Sequence, residues 1–399
     1  MDIPAEAKKL LEANRRTTDG HQYTVPSIEH YPYQWLWDSC FHAIILAQYE
    51  PEAARAELQS LLSRQFDDGM VPHIIYWQPG PLHFFRWGVE GTSSLTQPPM
   101  IAYAAWEIHR RASEQGFLES IYEQLLAYYK FLVEKRDPQG EHLAGIINPD
   151  ESGEDNSPRF DEPLSAPPDI GYLAHHNLRE KLVDENTANN FDVKWLSEHG
   201  TFWVKDVLFN TVLVENLRAL SHIASILEHE EGEQFANRYA ELIASAMRKK
   251  LFDGRAFRSV YGIEDRPLRA NTWVKFAPLF AGLYSDEEAR RLVKEELFDE
   301  TTFWSSFGMR TTSKREAAYR AEGFADHFSW RGPVWMVPHW FVYHGLQRYG
   351  FTDEAARIRE KCVALIEHSG FRECFNPETG EGEGAQGFTW GALILDMNP

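Results

Sequence analysis

Residues 205–228, KDVLFNTVLVENLRALSHIASILE, carry Phe209, Leu213, Leu217, Leu220, Ile223, Ala224 and Leu227 at spacings of three and four. That is one buried face of an α-helix. Three other helices begin almost identically, with Pro51-Glu52-Ala53-Ala54-Arg55, Ser285-Asp286-Glu287-Glu288-Ala289-Arg290 and Thr352-Asp353-Glu354-Ala355-Ala356-Arg357. Each puts acidic residues in the first turn, where the helix dipole favours them, and Ser285 with Glu288 matches a capping box. Each start follows closely on another helical stretch, ending at Tyr49, Leu283 or Tyr349, so the recurring unit is a helical hairpin.

Along the whole chain the patterns predict about twelve helices, at 4–14, 38–49, 51–65, 96–113, 117–136, 205–228, 231–251, 272–283, 286–296, 331–348, 353–369 and 386–396. Successive hairpins of that number predict an all-α toroid of six inner and six outer helices, an (α/α)6 barrel. The irregular spacing argues against an open solenoid of fixed-length repeats. Between hairpins lie long stretches rich in Gly, Pro and aromatic residues, at 66–95, 137–204, 254–271, 297–330 and 370–385. Each precedes a helix assigned to the inner ring, so these stretches should gather at one end of the barrel, and long loops are usually functional. No linker or composition break divides the chain, so 1–399 reads as one domain. Within it, 165–200 reads as an extended covering loop.

Hydrophobic content of 43% and charged content of 25% describe a globular protein. The 13 Trp, 16 Tyr and 25 Phe are unusual in that many sit beside Gly, Pro and polar residues rather than in apolar helical stripes. Aromatic-rich concave surfaces suit sugar rings, whose C–H faces stack on indoles. A net charge of −20 argues against nucleic acid and anionic membranes as partners. Cys40, Cys362 and Cys374 are too few for a disulfide framework or a zinc site. No signal peptide and no window near eighteen apolar residues is evident, so a reducing cytoplasm is expected.

The chemistry concentrates in Glu151-Ser152-Gly153-Glu154-Asp155-Asn156-Ser157-Pro158-Arg159-Phe160-Asp161-Glu162, with five carboxylates, one Arg and two structure breakers. Either this is a solvated acidic turn, or it is a functional loop in which one carboxyl keeps a proton near neutrality. Gln34-Trp35-Leu36-Trp37-Asp38 sets two indoles and a carboxylate before an inner helix, with Asp38 free to cap it or to accept from sugar hydroxyls. Trp330-Arg331-Gly332-Pro333-Val334-Trp335 enters another, with Pro333 suited to its first turn. In Phe371-Arg372-Glu373-Cys374-Phe375, an extended backbone puts Glu373 on one face with two Phe side chains. Glu378, Glu381 and Glu383 read as solvated. The G-x-G-x-x-G at Gly382–Gly387 lacks a βαβ context. His175 and His176 have no partner pair at metal-ligand spacing, and no metal or cofactor is called for.

Together these runs, with Gly387-Phe388-Thr389-Trp390-Gly391, resemble glycoside hydrolase family 63 from Tyr31 to Trp390, and more distantly the trehalases and other (α/α)6 glucosidases. In length and layout the chain is most similar to the short hydrolases of mannosylglycerate and glucosylglycerate. The resemblance implies an inverting α-glycosidase with Asp155 as general acid and Glu373 as general base. It implies a sugar subsite lined by Trp35, Trp37, Asp38, Gln97, Trp330 and Trp335, with Tyr31 and Gln386 helping to hold the substrate. Position 329 is Ser where glycerate-specific members carry Tyr. The 185–204 segment offers no Arg for a glycerate carboxylate, only Lys194 and, just beyond, Lys205.

For inversion, Asp155 must hold a proton, with Glu151, Glu154 or Asp161 and burial raising its proton affinity. Glu373 must stay ionised to activate water on the opposite face, with the two carboxyls roughly 6.5–9.5 Å apart. Arg159 is expected to orient the acidic loop by pairing with one of its carboxylates. A neutral α-glucoside is the alternative substrate, and a non-catalytic sugar binder the alternative class. An aromatic-lined terpenoid cyclase would need a DxDD or DDxxD motif, which is absent.

Overall fold

A computed structural model describes residues 1–113, 115–323 and 328–398; residues 324–327 of the expected 297–330 loop lie outside it. In chain order its α-helices are α1 (Ile3–Asn14), α2 (Leu36–Leu46), α3 (Pro51–Leu62), α4 (Pro81–Trp87), α5 (Ile101–Ala112), α6 (Gln115–Glu134) and α7 (Tyr172–Ala188). They continue with α8 (Val193–His199), α9 (Val207–Ile226), α10 (Glu230–Lys250), α11 (Asp286–Leu292), α12 (Met336–Arg348) and α13 (Thr352–Ser369). Two 3-10 segments, Trp273–Leu279 and Thr389–Leu395, complete an inner ring.

The ring closes on itself. α2 packs on α5, α5 on α9, α9 on the 273–279 segment, that segment on α12, α12 on the 389–395 segment, and the last back on α2. Behind it, α3 packs on α2, α6 on α5 and α9, α10 on α9, α13 on α12 and α1 on the 389–395 segment. This is the (α/α)6 arrangement the hairpins predict. Sequence sorts the two rings by how much of each helix is apolar. Every residue of α2 is buried, whereas α10 buries only the stripe Gly232, Ala236, Ala240, Ile243 and Met247. Its exposed ends carry Glu230, Glu231 and Glu233 at the start and Arg248, Lys249 and Lys250 at the finish, which suits the helix dipole.

Four boundaries differ from the sequence patterns, each for a local reason. The expected 96–113 helix begins at Ile101, because Pro98 and Pro99 hold the residues before them extended. The expected 331–348 helix begins at Met336, because Val334 exchanges two backbone hydrogen bonds with Phe375. Pro333 therefore lies in extended chain, and Pro338 sits in the first turn instead. The expected 386–396 helix yields its start to a hairpin, Arg372–Phe375 against Gly382–Gln386. The 165–200 segment is not an extended loop but α7 and α8; α7 buries His175, Leu182, Val183 and Asn186, a face too polar to show as an apolar stripe.

Candidate active site

The acidic stretch is fastened inward rather than solvated. A 3-10 turn over Pro149–Ser152 ends at Gly153, whose φ of +74° suits glycine, and a second turn follows at Pro158–Phe160. Glu151 is fully buried: both oxygens pair with Arg136 at 2.8 and 2.5 Å and accept the Thr96 and Ile147 amides. Glu154 pairs with Arg159 and accepts from the Trp273 indole. Arg159 reaches on to Asp206, which caps α9, so it orients the loop as expected. Asp161 holds Arg331 through two bonds of 2.8 and 2.6 Å, and Asn156 accepts from the Trp330 amide.

Asp155 is turned the other way. It opens, with 35% of its side chain accessible, onto a cavity of about 570 Å³ at the loop end of the barrel. The same cavity is lined by Glu373, Tyr31, Trp35, Trp37, Asp38, Gln97, Trp330 and Trp335, so nine of the ten residues expected at the site meet there. Trp330 and Trp335 stack at 4.1 Å with their planes 5° apart, and the Trp335 indole donates to the Ser329 carbonyl. Trp37 lies against Gly153, where any Cβ would come within 2.3 Å of its ring. Gln97 accepts from the Trp37 amide at 3.3 Å. Asp38 is inside the first turn of α2 rather than at its cap, and accepts from the Trp390 indole at 2.6 Å. Burial lifts Asp38 to a pKa of about 6, against the pull of His42 and Trp390.

Gln386 is the exception. In the hairpin register Ala385 faces the site and donates its amide to Glu373 at 2.9 Å. Alternation then turns Gln386 to the other face, where it is exposed in a separate hollow with Glu6, Lys9 and Phe371.

Glu373 is buried and also accepts from the Tyr31 hydroxyl at 2.7 Å. Burial raises its pKa to about 7; the Ala385 amide and Tyr31 oppose this, and the charge of Asp155 adds to it. Burial raises Asp155 as well, Arg179 opposes, and Asp150 adds to the rise. Glu151, Glu154 and Asp161, the expected perturbing neighbours, are neutralised by Arg136, Arg159 and Arg331.

Sequence reading missed Arg179 and Asp150. Arg179, on α7, bonds Asp155 at 2.6 Å through one terminal nitrogen and Asp150 at 2.7 Å through the other. Arg86, on α4, also lines the cavity and pairs with Glu180 at 2.7 Å. The positive charges sought at Lys194 and Lys205 are elsewhere: Lys194 is exposed on α8, and Lys205 is buried against Glu141 and Asp265. A signal for Arg179 existed, because Tyr172, His176 and Arg179 share one face of a helix. Glu378 is likewise no free carboxylate, since it pairs with Arg310 and Lys314.

Comparison with known proteins places the chain in a family. Residues 31–391 match the family described as the mannosylglycerate hydrolase MGH1-like glycoside hydrolase domain. Mannosylglycerate hydrolase of Rubrobacter radiotolerans is 34% identical, the match covering 99% of this chain and 96% of that one. Glucosylglycerate hydrolase of Mycolicibacterium hassiacum is 26% identical, over 99% and 97%. The crystal structure of the family 63 mannosylglycerate hydrolase from Thermus thermophilus, in complex with Tris and D-glycerate, superposes with a TM-score of 0.88 at 29% identity, covering 98% of this chain and 99% of that one. The chain belongs to the MGH1-like glycoside hydrolase family. It is a hydrolase rather than a non-catalytic sugar binder.

Proposed function

We propose that this family member hydrolyses a small α-glycoside carrying a carboxylate on its aglycone, with mannosylglycerate or glucosylglycerate as the best candidates. The observation that carries the reading is one cavity holding two proton-tuned carboxyls, Asp155 and Glu373, beside a stacked pair of indoles. The relatives' substrates support it, and so do Arg86 and Arg179, the kind of group that recognises a carboxylate. Asp155 gives its proton to the glycosidic oxygen as the bond to the anomeric carbon breaks and the bonding pair leaves with that oxygen. Water attacks the same carbon from the opposite face and passes its proton to Glu373. The configuration inverts, as is general for family 63. Tyr31 steadies Glu373, Asp38 accepts from sugar hydroxyls, and the buried Trp35 indole N–H, unpartnered among the described residues, is available to donate to one.

The reading takes the whole chain as one catalytic domain, which the closed inner ring supports. No helix among the described residues is long and apolar enough to cross a membrane. Three free, buried cysteines suit a reducing cytoplasm.

A second reading has its own observation. Arg179 is already matched by Asp150 and Asp155, and Arg86 by Glu180, which suits a neutral aglycone such as a disaccharide or glucosylglycerol. Proton NMR of α-mannosylglycerate, α-glucosylglycerate, trehalose, kojibiose and nigerose with wild type and Asp155→Asn separates the two. The first reading expects a glycerate to be cleaved with the β-anomer appearing first and the variant inactive. Cleavage of the disaccharides alone selects the second, and an α-anomer first removes Glu373 as base.

A further inference from the structure

Asp150 has no part in the reaction so far described, yet its position is unusual. It lies within the 3-10 turn over Pro149–Ser152 and lines the same cavity as Asp155, five residues on. The intervening Glu151 and Glu154 turn the opposite way, into buried arginines. A single guanidinium, Arg179, spans the two cavity-facing carboxyls at 2.7 and 2.6 Å. Arginine keeps its proton under all working conditions, so on its own it would hold a neighbouring carboxyl ionised. A general acid needs the opposite.

We propose that Asp150 is a positioning residue that shares Arg179 with Asp155, anchoring the guanidinium beside the acid while preventing it from committing its charge to that carboxyl. The inference rests on the reading of Asp155 as general acid. The other groups around the trio point the same way. From neighbouring elements His73 and Arg86 face Asp150, Glu180 takes up Arg86, His175 faces Arg179, and Tyr31 and Glu373 face Asp155. Burial holds His73 neutral, with a pKa of about 4, so it adds no cation. Burial raises Asp150 too, but the charges of Arg179 and Arg86 outweigh it, so Asp150 carries the fixed negative charge of the pair. Asp155 is left with a share of Arg179 rather than the whole of it, and with the stronger tendency to hold a proton.

The role has a signature in pH. Below the acidic limb of a kcat/KM profile the rate depends on ionising the base. Above the alkaline limb it depends on the acid keeping its proton. Asp150→Asn leaves Arg179 to Asp155 alone, so turnover of α-glucosylglycerate on the alkaline limb should fall about tenfold, for about one unit of lost proton affinity. The acidic limb should overlay that of wild type. α-Glucosyl fluoride has a leaving group that needs no proton, so with it the alkaline loss should vanish. Asp150→Glu should restore the profile. Arg179→Gln, which weakens substrate binding as well, should shift the alkaline limb the other way, to higher pH, and it tests the idea even if Asp150→Asn fails to fold.

A loss equal at every pH, or equal with the fluoride, makes Asp150 merely structural and overturns the proposal. So does an unmoved profile. Asp155→Asn run alongside separates the failures. If it is inactive on the glycoside, active on the fluoride, and Asp150→Asn behaves as wild type, only the role of Asp150 is lost. If Asp155→Asn still cleaves the glycoside, the assignment of the acid is lost, and this inference with it.

Discussion

Replacing Glu373 by Gln should abolish hydrolysis and at the same time stabilise the protein at high pH. The folded site raises the carboxyl from 4.5 to about 7, so folding favours the protonated form. Between those values the unfolded chain has released the proton and the folded chain has not, so stability falls as pH rises through this window and then levels off. At 1.36 kcal/mol per unit, the ionised carboxylate costs about 3 kcal/mol at pH 8 and about 1 kcal/mol at pH 5. Gln carries none of this. It does lose one acceptor, since Glu373 serves both Tyr31 and Ala385, a pH-independent loss of about 1 kcal/mol. Urea unfolding of both proteins at pH 5 and pH 8 isolates the pH-dependent part, because Asp38 and Asp161 contribute equally to each. Glu373→Gln should gain about 2 kcal/mol on wild type between the two pH values. A constant difference, or one that shrinks as pH rises, would refute the raised pKa and with it the account of the base.

Three shorter predictions follow from the same site. Tyr31→Phe removes the hydroxyl that opposes the rise of Glu373, so the acidic limb of kcat/KM should move to higher pH, with a larger loss at pH 6 than at pH 8; equal losses would mean that Tyr31 acts only through the substrate. Gly153→Ala forces a Cβ against the Trp37 ring at a positive φ. Displacing that indole should cost about 100-fold in kcat/KM and about 1–2 kcal/mol of stability, measured by steady-state kinetics and denaturation, and near-wild-type kinetics would show that Trp37 does not shape the sugar subsite. Glu151→Ala strands Arg136 unpaired in the core and should destabilise by about 3–5 kcal/mol, whereas Glu162→Ala, exposed at the end of the same stretch, should be nearly neutral in the same melts.

Much of this architecture was legible because the inner and outer helices differ in the breadth of their apolar faces, and periodicity records that directly. α9 and α10 are the clear case. The hidden part was α7. Its buried face is His175 and Asn186 beside Leu182 and Val183, and a helix that roofs a polar cavity has no reason to carry an apolar stripe. Missing that helix meant missing Arg179. The site residues next to inner-helix entries were readable because indoles beside Gly and Pro make poor core. Gln386 failed for a subtler reason: its place depends on hairpin register, and a step of one residue reverses the face.

The acidic stretch divides its carboxyls between two settings. Each inward carboxylate is paired with a guanidinium: Arg136 with Glu151, Arg159 with Glu154 and also Asp206, and Arg331 with Asp161. Buried pairs of this kind add little net stability, because desolvation offsets most of their attraction. What they supply is position: Arg136, Arg331 and, through Arg159, Asp206 tie the loop to different parts of the barrel, and breaking a pair leaves a buried charge. The two outward carboxyls instead divide one arginine between them. On the reading of Asp155 as general acid, that sharing of one positive charge, together with burial, favours the protonated form of Asp155. A second arginine placed within reach of Asp155 should therefore damage catalysis more than the loss of a carboxylate elsewhere in the loop's exposed end.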